Sequence, residues 1–156
     1  MKVANRVFQF SSFSKALTIG VIAFAVFIIW IIYLANSGGE SIFFRLVAAF
    51  PYGDKLGHFM LFGILVFGVN LATRFHLFPI RIVRFRIYSG TLWVSLFVTL
   101  EELSQGFFST RTMDWTDLIA DACGILFFTW LTSRVASSKR IQSSWLNSSA
   151  RCDRNA

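Results

Sequence analysis

The chain lacks the polar surface that a water-soluble domain of its length requires. Charged residues fill only 15% of its 156 positions, hydrophobic residues fill 55%, and the mean hydropathy is +0.61. Composition alone therefore excludes an ordinary soluble globular domain. Cysteine is scarce too: Cys123 lies in an apolar run, Cys152 lies near the C-terminal end, and neither CxxC nor a zinc spacing occurs. A disulfide framework is not implied, and both thiols read as structural. Acidic residues are few, 8 against 15 basic ones, for a formal net charge of +7. Nucleic acid is not the partner this implies, because the Lys and Arg residues flank apolar runs instead of covering a polar domain. They read as topology signals and as contacts for anionic lipid headgroups. There are no internal repeats.

What the sequence has in quantity is apolar runs, with Phe alone appearing 19 times. The runs predict helices near 16–34, 55–73, 87–106 and 115–133, each close to the ~20 residues that cross a hydrocarbon core. The last two reach that length only when their acidic residues are counted. Lys2, Arg6 and Lys15 precede the first run in the manner of a signal peptide. Its length, and its ending in Trp30, Ile31, Ile32, Tyr33 and Leu34 instead of small residues, mark a retained anchor. A basic connector with Pro79 joins the second and third runs. Residues 1–15 read as a cytoplasmic segment, 16–133 as the membrane domain, and 134–156 as a basic tail, disordered or lying on the membrane surface.

The expected fold is thus all-α: a polytopic bundle of four transmembrane helices with both termini cytoplasmic. That orientation puts all of the 15 basic residues inside except Arg45, Lys55 and Arg111, which is the asymmetry that sets topology. All acidic residues except Asp153 then fall outside. Acids do not set topology, so their segregation needs another cause.

Helical geometry supplies one. Glu101 stands 15 residues beyond Arg86, roughly 22 Å up a ~30 Å core. His58 lies about one turn into its helix and Asp121 about 9 Å into the fourth. Three helices thereby bring ionisable groups to one depth, where each charged group costs on the order of 3 kcal/mol unless paired or hydrated. Asp54 and His58 are four apart, as are Glu101 and Gln105, while Glu102 and Gln105 are three apart. Asp114, Asp117, Asp121 and Gly124 form one stripe on the fourth helix. These stripes face the bundle interior, since lipid offers them no partner. Arg111, in the loop before that helix, is the nearest cation able to bridge the carboxylates, and Gly124 permits close helix approach below them. Simpler roles exist for some members: Asp54 has the position of an N-cap, and Lys55 that of an interfacial anchor. Of the neighbours Glu101 and Glu102, one is expected to face away, with Glu102 the inward choice.

Two blocks in this layer resemble the VanZ-like family of small bacterial membrane proteins. The first is Asp54-Lys55-Leu56-Gly57-His58-Phe59 with Phe62-Gly63 following. The second is Glu102-Leu103-Ser104-Gln105, then Arg111, then Asp117, Asp121 and Gly124. Where many members of that family carry Pro-Gly before the Arg, this chain has Phe108-Ser109-Thr110-Arg111. The resemblance implies a bacterial cytoplasmic membrane and a loose association with the cell envelope, the family being named for a protein linked to resistance to the glycopeptide teicoplanin. It supplies no reaction. The Glu101-Glu102 pair is also similar to the EExxxR motif of intramembrane CAAX-type proteases, but Gly106 stands where that motif needs Arg.

The layer itself suggests a site, open to the outer leaflet, that binds or acts on a lipid or lipid-linked envelope precursor. Glu102 or Asp121 would transfer a proton with His58 as partner. Arg111 and Lys55 would hold an anionic headgroup, with Gln105 and Asp117 beside them. No cofactor is identified, although Asp54, His58, Glu102, Asp117 and Asp121 are of a type that accepts a divalent metal. The non-enzymatic alternative makes the layer a buried ion-pair network that fixes helix packing.

Overall fold

The computed structural model describes the backbone of residues 2–39, 41–80, 85–107 and 114–152, and the side chains of 15–39, 41–80, 86–107 and 114–138. Within these the chain is mostly helical. Its elements are α1 (Lys2–Asn36), α2 (Ile42–Ala48), α3 (Gly53–Ala72), β1 (Leu77–Ile80), β2 (Phe85–Tyr88), α4 (Ser89–Gln105) and α5 (Trp115–Cys152). Three segments are long and apolar enough to cross a membrane: Lys15–Asn36, Gly53–Ala72 and Trp115–Ser138. The 17-residue α4 carries Glu101 and Glu102 and is shorter than these.

Several bounds differ from those the sequence implied. α1 begins at Lys2, so most of the expected cytoplasmic segment continues the first apolar helix; no Gly or Pro occurs before Gly20 to stop it. α5 runs to Cys152, past 133 and through most of the basic tail expected to be disordered or to lie on the membrane surface, and again no Gly or Pro follows Gly124. The connector is not wholly irregular: β1 and β2 form an antiparallel hairpin in which Pro79 pairs with Arg86. A two-stranded sheet has only edge strands, so the missing N–H of Pro79 is tolerated. α2 is an added helix of about two turns, started by Ser41, whose hydroxyl accepts from the Phe43 N–H at 3.2 Å.

α3 and α5 form the centre of the bundle. Gly124 meets the backbone of Phe59, and Gly63 meets the ring of Phe128, so closely that a Cβ at either position would collide. These two glycines let the helices touch along their length. Ile28, Phe62, Leu65, Val66, Val94, Val98 and Ile125 fill the space between α1, α3, α4 and α5. At one end, Asn70 of α3 clips the start of α4. Its Oδ1 accepts the Thr91 N–H at 3.2 Å and its Nδ2 donates to Thr91 Oγ1 at 3.0 Å. Thr91 Oγ1 in turn lies 2.9 Å from Thr129 Oγ1 of α5. The clip supplies a partner for one of the N–H groups that a helix start leaves open.

Burial is inverted relative to a soluble protein. Asn70, Glu102, Asp121 and Thr132 are fully buried, while Ile19, Ile22, Trp93, Leu96, Ile119, Leu126 and Trp130 are exposed. Gly124→Ala is expected to lower the thermal unfolding midpoint in detergent and the folded yield. Gly20→Ala, where an added Cβ meets nothing, should be neutral or raise the midpoint slightly through helix propensity, worth about 1 kcal/mol. Equal effects of the two substitutions would contradict the close α3–α5 contact.

Candidate functional site

The opposite end of the bundle carries the acidic layer, where α3 and α5 begin and α4 ends. Asp114 starts α5: its Oδ1 accepts from the Thr116 N–H and from Thr116 Oγ1, both at 2.8 Å. The next two turns then place Asp117 and Asp121 on the side of α5 that meets α3. On α3 the left-handed Tyr52 (φ 59°) is the N-cap, so Asp54 is not; it sits in the first turn instead. Gly53 follows because a side chain there would strike the Val47 carbonyl.

Lys55 is the hub. Its ammonium donates to Asp54 Oδ2 at 3.2 Å, to Asp114 Oδ2 at 2.7 Å and to Asp117 Oδ1. An ammonium has three N–H donors, and three carboxylates take them. Lys55 is therefore neither a snorkelling anchor nor an open headgroup contact; its side chain is only 29% exposed. Asp114, outside the apolar spans, is held well below the usual carboxylate range, first by the Lys55 hydrogen bond and then by the Thr116 donors.

One turn further in, His58 Nδ1 lies 3.1 and 3.3 Å from the two oxygens of Asp121. Its Nε2 is 3.8 Å from Asp117 Oδ2. Asp121 is completely buried, whereas the His58 side chain keeps 15% exposure. Across from them, Glu102 Oε1 accepts the Asp114 N–H at 3.2 Å and Glu102 Oε2 accepts from Gln105 Nε2 at 2.8 Å. Gln105 Nε2 also lies 3.3 Å from each Glu101 oxygen. Both glutamates are buried, 9% exposed for Glu101 and 0% for Glu102. The expectation that one faces away is thus corrected: α4 has two inward sides, one toward α5 and one toward a cavity beside α3.

That cavity, about 400 Å³, is the feature the sequence did not reveal. α1, α2 and α3 enclose it through Phe27, Ile28, Ile31, Phe43, Val47 and Leu61, and its polar wall is Asp54, His58 and Glu101. Phe43 and Met60 at its margin are exposed. Its volume lies within the ~300–1,000 Å³ typical of small-molecule sites. Amphipathic periodicity could not signal it, because its walls are the same apolar residues that line any helix contact.

Of the residues expected to form a site, His58, Lys55, Gln105, Glu102, Asp117 and Asp121 do converge; Arg111 lies outside the described residues. Only His58 among them also lines the cavity, joined there by Asp54 and Glu101. Asp54, His58 and Asp117 bring one ligand atom each within 4.8 Å of one another, a set a divalent cation accepts. In the arrangement described, the Lys55 ammonium already supplies positive charge between two of them. No protein-family model, curated protein or solved structure matches the chain.

Two outcomes follow. Lys55→Gln should cost about 2 kcal/mol, between the values for exposed and buried ion pairs, and adding Asp117→Asn should restore part of the loss; strict additivity in thermal unfolding would refute the hub. The Asp114 contribution has a definite sign with pH. With its folded pKa depressed, its stabilisation is complete above the unfolded value of ~3.9 and is lost as pH falls through the lower folded value. The midpoint difference between wild type and Asp114→Asn should accordingly stay constant from neutral pH to about 4 and shrink only below that.

Proposed function

We propose that the protein is an integral membrane protein of four spans, α4 being the fourth, with both termini cytoplasmic. In this reading its acidic layer stands in the outer third of a bacterial cytoplasmic membrane and serves a site for a lipid or lipid-linked envelope precursor. The exposed apolar faces and buried polar side chains support the membrane setting, since an apolar solvent selects that distribution. The α1 and α4 ends and the α3 and α5 starts gather at the acidic layer, an alternation that supports four antiparallel spans. The likeness of Asp54-Lys55-x-x-His58-Phe59 and of Glu102 to Gly124 to the VanZ-like pattern supports the envelope association.

The observation that carries the lipid reading is the apolar cavity ending on His58. A chain lodged among Phe27, Ile31 and Leu61 would bring its head to an imidazole already oriented by a buried carboxylate. In that role His58 is the proton-transfer group and Asp121 its positioning residue, an assignment that follows which of the two reaches the cavity. Glu102 and Gln105 tie α4 to the start of α5, and Asp117 steadies Lys55 and His58. The alternative is an accessory protein whose network is purely structural, favoured by how completely Lys55 is engaged.

The two readings separate in one experiment. His58→Gln and Asp121→Asn are purified in mild detergent, and folded yield is compared with the lipid that co-purifies. The same variants are tested for glycopeptide susceptibility in cells where the wild-type chain alters it. The lipid reading expects near-normal folded yield for His58→Gln with loss of bound lipid and of the effect on susceptibility. Failure of both variants to accumulate, or unchanged lipid and susceptibility, would overturn it.

A further inference from the structure

We infer that Gly57 determines what the cavity accepts: its missing side chain keeps open a lane, one hydrocarbon chain wide, beside His58. This names the chain-selecting residue of the lipid site proposed above and rests on that reading.

Two helical stripes line the cavity. On α3 the stripe is Asp54, Gly57, His58 and Leu61, at i, i+3, i+4 and i+7. On α1 it is Ile28, Ile31, Ile32 and Ala35, at the same spacing. Each stripe has one small residue, and the two lie at the same end. Ala35 stands in the last turn of α1 and Gly57 in the second turn of α3, next to His58. The cavity is thereby widened where its apolar lining meets its polar wall.

Glycine is a poorer helix former than alanine, and on α3 close packing accounts for the other three. A Cβ would strike the Val47 carbonyl at Gly53 and the Phe128 ring at Gly63, and would press on Val21 at Gly68. At Gly57 it would meet nothing within 4 Å, although the residue is half-buried. Helix packing therefore gives no reason for glycine at this position; the cavity it borders does, since glycine lets a ligand approach the backbone closely.

The occupant is a single hydrocarbon chain. Apart from Asp54, His58 and Glu101 the lining is apolar, and about 400 Å³ lies near the lower end of the range for small-molecule sites. Phe43 and Met60 at the margin are exposed, as are Leu56 and Ile64 on α3. The cavity is thus continuous with the apolar surface that lipid chains cover in the membrane reading. With its head at His58, such a chain lays its first carbons against the α3 backbone at Gly57, in the space a side chain would take.

The test uses dodecanol and a photoreactive dodecanol carrying a diazirine near the hydroxyl; the neutral head keeps charge out of the comparison. The full chain in maltoside detergent is irradiated with the photoreactive alcohol, and adducts are mapped by peptide mass spectrometry with and without excess dodecanol. The wild-type chain is expected to carry dodecanol-competed adducts at Ile31, Ala35 or Leu61, above those on the outward-facing Ile22 and Ile119. Gly57→Ala should weaken the competed signal about fivefold, and Gly57→Leu should remove it. The thermal midpoint of Gly57→Ala without the alcohol should equal or exceed that of wild type, which separates lost binding from lost fold. Gly20→Ala, at an open position on α1 outside this cavity, should leave the adducts unchanged. Competed adducts that persist at the wild-type level in both Gly57 variants would overturn the selection by Gly57 and leave a lipid site standing. A lowered midpoint in Gly57→Ala would overturn it too, by marking Gly57 as a packing residue. Absence of competed adducts from the wild-type chain would overturn both the selection and the lipid reading.

Discussion

Everything at the acidic end of this protein depends on one ammonium group. Lys55 stands on the first turn of α3 and gathers a carboxylate from its own turn, one from the residue that starts α5, and one from the first turn of α5. Without it, Asp54, Asp114 and Asp117 would repel one another at the point where two helices begin side by side. The helix N-termini help, since each presents partial positive charge to the acids around it, but that field is diffuse and Lys55 is a point charge in contact. Once the ammonium is in place, Asp114 can hold the Thr116 donors and offer its own N–H to Glu102. The end of α4 is thereby attached to the start of α5.

The bundle has a second polar clamp at its other end, and the two differ in kind. Asn70, Thr91, Thr129 and Thr132 form a neutral network of hydrogen bonds. Neutral groups satisfied in this way carry a modest cost in an apolar interior, so the clamp reads as architecture. Charged groups cost far more to bury, so the acidic end holds together only because its carboxyl groups are paired and hydrogen-bonded. The apolar centre, from Phe62 to Val98 and Ile125, lies between the two clamps.

Much of the acidic end was legible in the sequence, because helical periodicity acts on polar residues as it does on apolar ones. The spacing of Asp114, Asp117, Asp121 and Gly124 placed them on one face, and the structure turns that face toward α3. Glu102 with Gln105 and Asp54 with His58 were readable in the same way. What periodicity could not give was partner choice. Lys55 resembled an interfacial anchor because nothing local distinguishes an ammonium reaching to headgroups from one reaching sideways to another helix. Glu101 escapes periodicity because a single stripe marks one inward side per helix, whereas α4 has a helix on one flank and a cavity on another. The hairpin at Pro79 and the short α2 were missed for a different reason: both are brief, and their register and start depend on Arg86 and Ser41 more than on any pattern.

The contrast between satisfied and reachable groups narrows where chemistry can occur. A buried polar side chain whose lone pairs and protons are all engaged is a structural member, however exotic its charge. Glu102, Gln105 and Asp121 are enclosed, each is bonded to another member of the layer, and none lines the cavity, so each acts through its neighbours. Asp54 and His58 differ, being bonded to the layer on one side and bordering apolar space on the other. The acidic layer and the apolar cavity therefore meet at Asp54, His58 and Glu101, the members of the layer that border the cavity.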